Sequence, residues 1–276
     1  MNGRLVKQLV IGIVFLFLFG GMGYGIYDVF TPDATCFDNI QNQGEQGVDC
    51  GPVCGKLCDP LPIPPQVQSI QVLKVRPGDY DVVASVMNPN TVYGSGKIGY
   101  ELVLRNAAGA ELARLPGTFY IMPAETKFVV RTSLIVSDDV VQADLLVKEA
   151  EWQKVSTADV PVDFPLRRES YTEPHQVGVI SQLEGVVFND SDFDFNVVEV
   201  AVVLLDNADA IIGVNTTELL TVLSRTERYV KVTWPTPLAG KFAKARVQAG
   251  ANVFVNENFI RRYGTQEKFQ EFYQGR

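Results

Sequence analysis

Histidine occurs once in these 276 residues, at His175, and tryptophan only twice. A single imidazole beside Pro174, with no nucleophile pattern near it, leaves little from which to build a catalytic triad or a histidine-based metal centre. No G-x-S-x-G, P-loop or H-E-x-x-H spacing is present. Cysteine is missing from the whole chain except Cys36 to Cys58, and Cys-x-x-Cys, the usual redox spacing, does not occur even there. Basic residues are in deficit, with 24 Lys and Arg against 32 Asp and Glu. These absences predict a chain that is not an enzyme and does not bind nucleic acid, since a surplus of carboxylates repels phosphate backbones.

Charge is also absent from Gln8 to Tyr27, "QLVIGIVFLFLFGGMGYGIY". At about 1.5 Å per residue such a run spans roughly the 30 Å hydrocarbon core of a bilayer. Arg4 and Lys7 precede it, whereas Asp28, Asp33 and Asp38 follow. The positive-inside rule therefore puts residues 1–7 in the cytoplasm as a stub, a transmembrane helix at 8–30, and the rest of the chain outside the cytoplasmic membrane. The rival reading is a cleaved signal peptide with its small residues at Gly23 and Gly25, and it exports the same residues. Without Arg4 and Lys7, the exported part holds 22 cationic side chains against 32 carboxylates, a net charge of −10.

The four cysteines, Cys36, Cys50, Cys54 and Cys58, are spaced C-x13-C-x3-C-x3-C. In an exported segment of some two dozen residues with few large apolar side chains, they read as two disulfides that hold what burial cannot. Zinc is the alternative, and the spacing leaves all three disulfide connectivities open, Cys54–Cys58 closing the tightest loop. Asp38, Asn42, Glu45 and Asp49 supply hard oxygen atoms on a Gly-bent loop, a weak calcium candidate set against the plain need of tight turns for Asx and Gly. Cys36, Asp38, Ile40, Asn42, Gly44, Glu45, Gly47, Asp49, Cys50 and Gly51 carry the pattern C-x-D-x-I-x-N-x-G-E-x-G-x-D-C-G. It resembles a short Cys/Gly module of exported, surface-anchored bacterial proteins, and the resemblance implies an envelope location and no reaction. Pro52 stands where that module usually has a second glycine.

After this knob (31–58) comes a Pro-rich linker (59–65), "DPLPIPP", which should be extended. Strand-like segments follow: "DYDVVASVMN", "KIGYELVLRN", "TKFVVRTSLIV" and "ADLLVKEA", separated by turn residues. The order then repeats about one hundred residues on, pairing Asn88 with Asn189, Asn106 with Asp206, Phe128 with Tyr229 and Val147 with Val247. The prediction is mainly β: two tandem immunoglobulin-like β-sandwiches at 66–159 and 176–256, joined by a linker at 160–175 with three prolines. Gly185, Val187 and Asn189, then Val202, Leu204, Leu205 and Asp206, resemble the bacterial FxLYD-type immunoglobulin-like domain, although both of its naming aromatics are replaced. That resemblance implies a structural or binding module of the envelope.

Asp190, Asp192 and Asp194 in "NDSDFDFN" begin like a calcium loop. Phe195 stands where an EF-hand needs glycine and Ala201 where it needs glutamate, so only a weaker calcium candidate is left. No other cofactor is expected. In the tail (257–276), Phe269, Phe272 and Tyr273 fall at helical spacing near Arg261 and Arg262. The functional expectation is a membrane-anchored, extracytoplasmic binding or scaffolding protein whose partner is a protein or another envelope component. The alternative is a non-catalytic subunit of a secretion, pilus or transport complex.

Overall fold

The computed structural model of the protein describes residues 3–30, 35–38, 40–58, 61–155, 162–174 and 177–263. An apolar helix, α1 (Gly3–Phe30), begins a few residues ahead of the predicted 8–30, because nothing in "GRLVK" stops a helix. Within it, Val6–Tyr27 is long and apolar enough to cross a membrane, and its apolar window is not buried among the described residues. The chain divides into two compact units, Met1–Leu61 and Pro62–Arg276.

In the first unit, Cys36 bonds to Cys54 and Cys50 to Cys58, so neither of the two equally tight loops, Cys50–Cys54 and Cys54–Cys58, is the one closed. The pairing predicts that Cys36→Ser leaves one alkylatable thiol, at Cys54. Label at Cys50 or Cys58 in an unreduced digest would overturn it. Between the bridges the backbone turns sharply at Gly51, where φ is +117° and a Cβ would lie 2.9 Å from the Gln46 amide nitrogen.

The second unit is built of strands: β1 (Gln66–Arg76), β2 (Asp79–Met87), β3 (Tyr93–Arg105), β4 (Glu111–Ile121), β5 (Thr126–Ile135), β6 (Gln142–Ala150), β7 (Gln153–Lys154), β8 (Leu166–Thr172), β9 (Ser181–Phe188), β10 (Phe195–Leu205), β11 (Ile211–Val222), β12 (Glu227–Trp234) and β13 (Lys244–Gly250). All pairings are antiparallel. The sheets run β1-β2-β5 and β4-β3-β6 in one sandwich, and β8-β9-β12 and β11-β10-β13 in the other. Strand for strand the two orders are the same, which gives the sequence repeat a physical form. β8 is the exception to the sequence reading, because it lies inside the segment read as a linker (160–175). Its residues, "LRRESYT", do not alternate, and only Leu166 and Tyr171 turn towards the core.

The repeated asparagines do the same work twice. Asn88 is buried, and its Nδ2 donates to the Tyr93 and Met122 carbonyls at 2.7 and 2.8 Å. Asn189, also buried, donates likewise to Phe193 and Leu223 at 2.8 and 3.0 Å. Each ties the loop after the second strand to the loop before the fifth. Asn106 and Asp206 close the next hairpins, their Oδ1 atoms accepting the amides of Ala108 and Ala110, and of Ala208 and Ala210. These are Asx turns, which a short side-chain oxygen makes in place of backbone.

Each sandwich has its own core. Tyr80, Val82, Val86, Ile98, Leu102 and Leu104 fill the first, while Leu183, Val187, Val200, Val202, Leu204 and Trp234 fill the second. A third cluster joins them: Leu73 and Val83, with Phe128 and Val130, from the outer face of β1-β2-β5, pack against Val203, Leu205, Val214 and Ile211 of the other sandwich. Four sheets are therefore stacked with apolar side chains in all three gaps. The two outermost faces carry ions instead. Arg114 pairs with Glu101 and Glu111, and Lys148 also reaches Glu101 on one side; Lys231–Glu184 and Arg167–Glu227 lie on the other. Glu184 and Tyr229 stand at the repeat positions of Val83 and Phe128, so the second sandwich offers no equivalent apolar face to a third.

Candidate functional site

The carboxylates proposed for calcium in the knob are held by their own chain. Asp38 accepts the Thr35 and Ile40 amides and Asn42 Nδ2, each at 2.9 Å, and its carboxyl is held below the usual range chiefly by the Thr35 amide. Glu45, buried, accepts the amides of Asn42 and Asp49 at 3.3 and 3.1 Å. Asp49 accepts the Asp38 amide. These contacts shape turns, and they aim the oxygens at backbone N–H groups. Cys36, Glu45 and Cys54 place their ligand-type atoms within 4.8 Å of one another, but both sulfurs are spent on a disulfide.

At the second candidate, Asp190 and Asp192 both receive the Arg225 guanidinium, and Asp194 accepts the Ser224 amide at 2.7 Å. An arginine of the chain thus stands where the cation was expected. His175 and the aromatic residues Phe269, Phe272 and Tyr273 lie outside the described residues. Arg261 and Arg262 end a short helix, α2 (Glu257–Tyr263), which docks back on the second sandwich by packing Phe259 and Tyr263 against Phe193.

What sequence reasoning missed is the seam between the sandwiches. Its signal was present in "DVVASVM" and "EVAVVLL", where apolar residues run consecutively instead of alternating, as they do in strands covered on both faces. Polar clips flank the apolar seam. Gln248 receives the Phe128 amide at 2.8 Å and gives its Nε2 to the Thr126 carbonyl at 2.7 Å. Asn252 Nδ2 reaches the Gly96 carbonyl at 2.8 Å. The turn of 3-10 helix at Val253–Val255 brings Phe254 onto Gly94 and Gly96 of β3, where added Cβ atoms would lie 2.5 and 2.6 Å from Phe254 atoms. Glycine at these two positions lets the backbone and the ring approach.

A charged group closes the same end of the seam. Lys127 is buried, with Nζ 3.4 Å from the centre of the Tyr120 ring and 3.3 Å from Glu199 across the interface. Burial pushes the neighbouring Glu125 carboxyl above its ordinary range, and the Lys127 charge and Met122 amide pull only partly back. A carboxyl whose folded pKa is raised holds its proton more tightly folded than unfolded, so stability falls as pH rises from the unfolded value near 4.5 through the folded one. Glu125→Gln, which keeps an acceptor for the Met122 amide, should flatten this fall in a urea-midpoint series across the acidic range. An unchanged slope would assign the dependence elsewhere.

At the opposite end a cleft of about 310 Å³ lies between the sandwiches, with Asp79, Asp81 and Ser133 on one wall and Asn215, Trp234 and Thr236 on the other. Asp79 pairs through Oδ2 with Arg76 at 2.9 Å, while its Oδ1 is buried with no hydrogen-bond partner among the described residues. Asp81 accepts the Ser133 amide at 2.9 Å, and burial, with Asp79's charge, lifts its carboxyl above the usual range.

No protein-family model matches the chain, and no curated protein matches it in sequence. Among solved structures, a crystal structure of red sea bream transglutaminase is similar over 72% of this chain and 30% of that one, at 14% identity and a TM-score of 0.22. The chain thus spans under a third of that protein's length, and a likeness this distant supports no statement about this chain.

Proposed function

We propose that the protein is a non-enzymatic binding or scaffolding module of the cell envelope, held at the cytoplasmic membrane by an uncleaved α1 and presenting its sandwiches outside. One observation carries this reading. The two sandwiches are locked across an apolar seam flanked by Gln248, Asn252 and Lys127 into one body, and rigid strands of this kind hold loops and edges in fixed positions for a partner. The apolar helix and the disulfide pairs support an exported chain, because such bridges persist in oxidising compartments. The Cys/Gly pattern at Cys36–Gly51 and the FxLYD-like stretch at Glu184–Gly213 support the envelope assignment.

Site-specific photo-crosslinking across the second unit in source-cell membranes tests the reading. A few adjacent positions should give discrete, partner-sized adducts, and a surface that crosslinks nowhere would sink it. Repeating the scan on chain exported behind a cleavable signal, without α1, separates a display module from a complex subunit. A display module keeps its adducts; loss of every adduct favours the subunit.

A further inference from the structure

The two sandwiches differ at one place where the repeat predicts that they should agree. In the first, β7 pairs with the start of β3, Tyr93 opposite Lys154 and Gly94 opposite Gln153. The Asn88–Asn189 equivalence puts Asp194 and Phe195 at the corresponding start of β10. There β13 pairs only with Glu199–Leu205, and the chain that should continue as a seventh strand coils instead into the 3-10 turn Val253–Val255, which sets Phe254 against Gly94 and Gly96 of β3. From Phe195 to Val198, β10 has β11 on one side and, among the described residues, no strand on the other. A cleft of about 450 Å³ lies along that open edge, bounded by Asn196, Val197, Glu199, Val255 and Glu257, among others.

We propose that this open edge of β10 is a docking site for an extended segment of a partner protein in which aliphatic residues alternate with Lys or Arg. The inference rests on the binding-module reading and names its surface. An unpaired strand edge offers a row of backbone donors and acceptors that an added strand satisfies, and the first sandwich shows that a strand is accommodated at the matching place. The chemistry of the walls selects the side chains. Val255 is 74% exposed and Val197 39%, a small apolar surface for the aliphatic face. Asp194, Glu199 and Glu257 line the cleft with no Lys or Arg among its lining residues. Two of the acids have partners, Glu199 in Lys127 and Asp194 in the Ser224 amide, and Asn256 Nδ2 caps the Asp194 carbonyl at one end. Glu257, in the first turn of α2, is exposed at the cleft and has no ion-pair partner among the described residues.

The test uses the full chain in detergent micelles and fluorescein-labelled acetyl-Val-Lys-Val-Arg-Val-Lys-amide, read by anisotropy. Saturable binding is expected that weakens at least tenfold for the same peptide N-methylated at alternate residues, which keeps every side chain but removes the edge-pairing N–H groups. Glu257→Lys and Val255→Ser, both at exposed positions, should each weaken it about tenfold at an unchanged melting temperature. Equal binding of the N-methylated peptide would reduce the site to general charge attraction, and no binding, or binding indifferent to both substitutions, would overturn it. If the crosslinking scan gives adducts elsewhere but none from Val197 or Val255, this site fails while the binding-module reading stands. An empty scan fails both.

Discussion

Replacing Gly96 with valine should split the unfolding of the second unit from one cooperative transition into two. A Cβ at Gly96 would sit 2.6 Å from the Phe254 Cβ, too close for the 3-10 turn to keep its place. Forcing it in costs about 1–3 kcal/mol as overpacking, and the displaced turn also takes Asn252 from the Gly96 carbonyl. The damage falls where Phe254, a member of the second sandwich's core cluster, reaches across to β3 of the first. Differential scanning calorimetry of the micelle-held chain would show it, and the cause can be isolated by a double-mutant cycle. Phe254→Ala alone removes a ring that is nearly buried, at about 3–5 kcal/mol. In that background Gly96→Val should add little, because its obstacle has gone. Fully additive costs would mean that Gly96 matters only within its own strand.

The second large effect is expected at Asn189. Its side chain is fully buried and holds four groups: Nδ2 reaches the Phe193 and Leu223 carbonyls and, at 3.4 Å, that of Val222, while Oδ1 accepts the Ser191 hydroxyl at 2.7 Å. Asn189→Ala strands several of these in the interior, each at about 1–3 kcal/mol, for a total near 3–5 kcal/mol after relaxation. Domains of this size have about 5–15 kcal/mol to lose. A drop in urea midpoint with unchanged slope would show it. Asn189→Asp should be nearly as damaging, since a carboxylate cannot donate to the three carbonyls. A loss under 1 kcal/mol for both would mean that the loops hold themselves.

The same asparagines explain how much could be read from the chain. Asn88 with Asn189, and Asn106 with Asp206, betrayed the repeat because a loop clip and an Asx turn need particular side chains at fixed offsets. The apolar runs and the position of the four cysteines likewise gave the helix, the bridges and the β class. Partners of residues far apart in the chain were not legible. Nothing in "NDSDFDFN" announces that Arg225 occupies its acids, and the cysteine spacing does not choose Cys36–Cys54 over its rivals. β8 escaped because an edge strand with exposed faces needs no hydrophobic alternation. The seam was legible only in part, because the consecutive apolar runs "DVVASVM" and "EVAVVLL" mark strands covered on both faces but do not say which sheet does the covering.

The clips across the seam join residues 120 and 156 positions apart, with the later partner always in the second sandwich. A chain made from its N-terminus folds its earlier domains first. The first sandwich therefore matures with Leu73, Val83, Phe128 and Val130 bare to solvent, and it stays adhesive until Val203, Leu205, Ile211 and Val214 of the second sandwich cover it. Between those two moments lies the vulnerable part of the protein's life, when a second nascent copy can take the place meant for the chain's own C-terminal half.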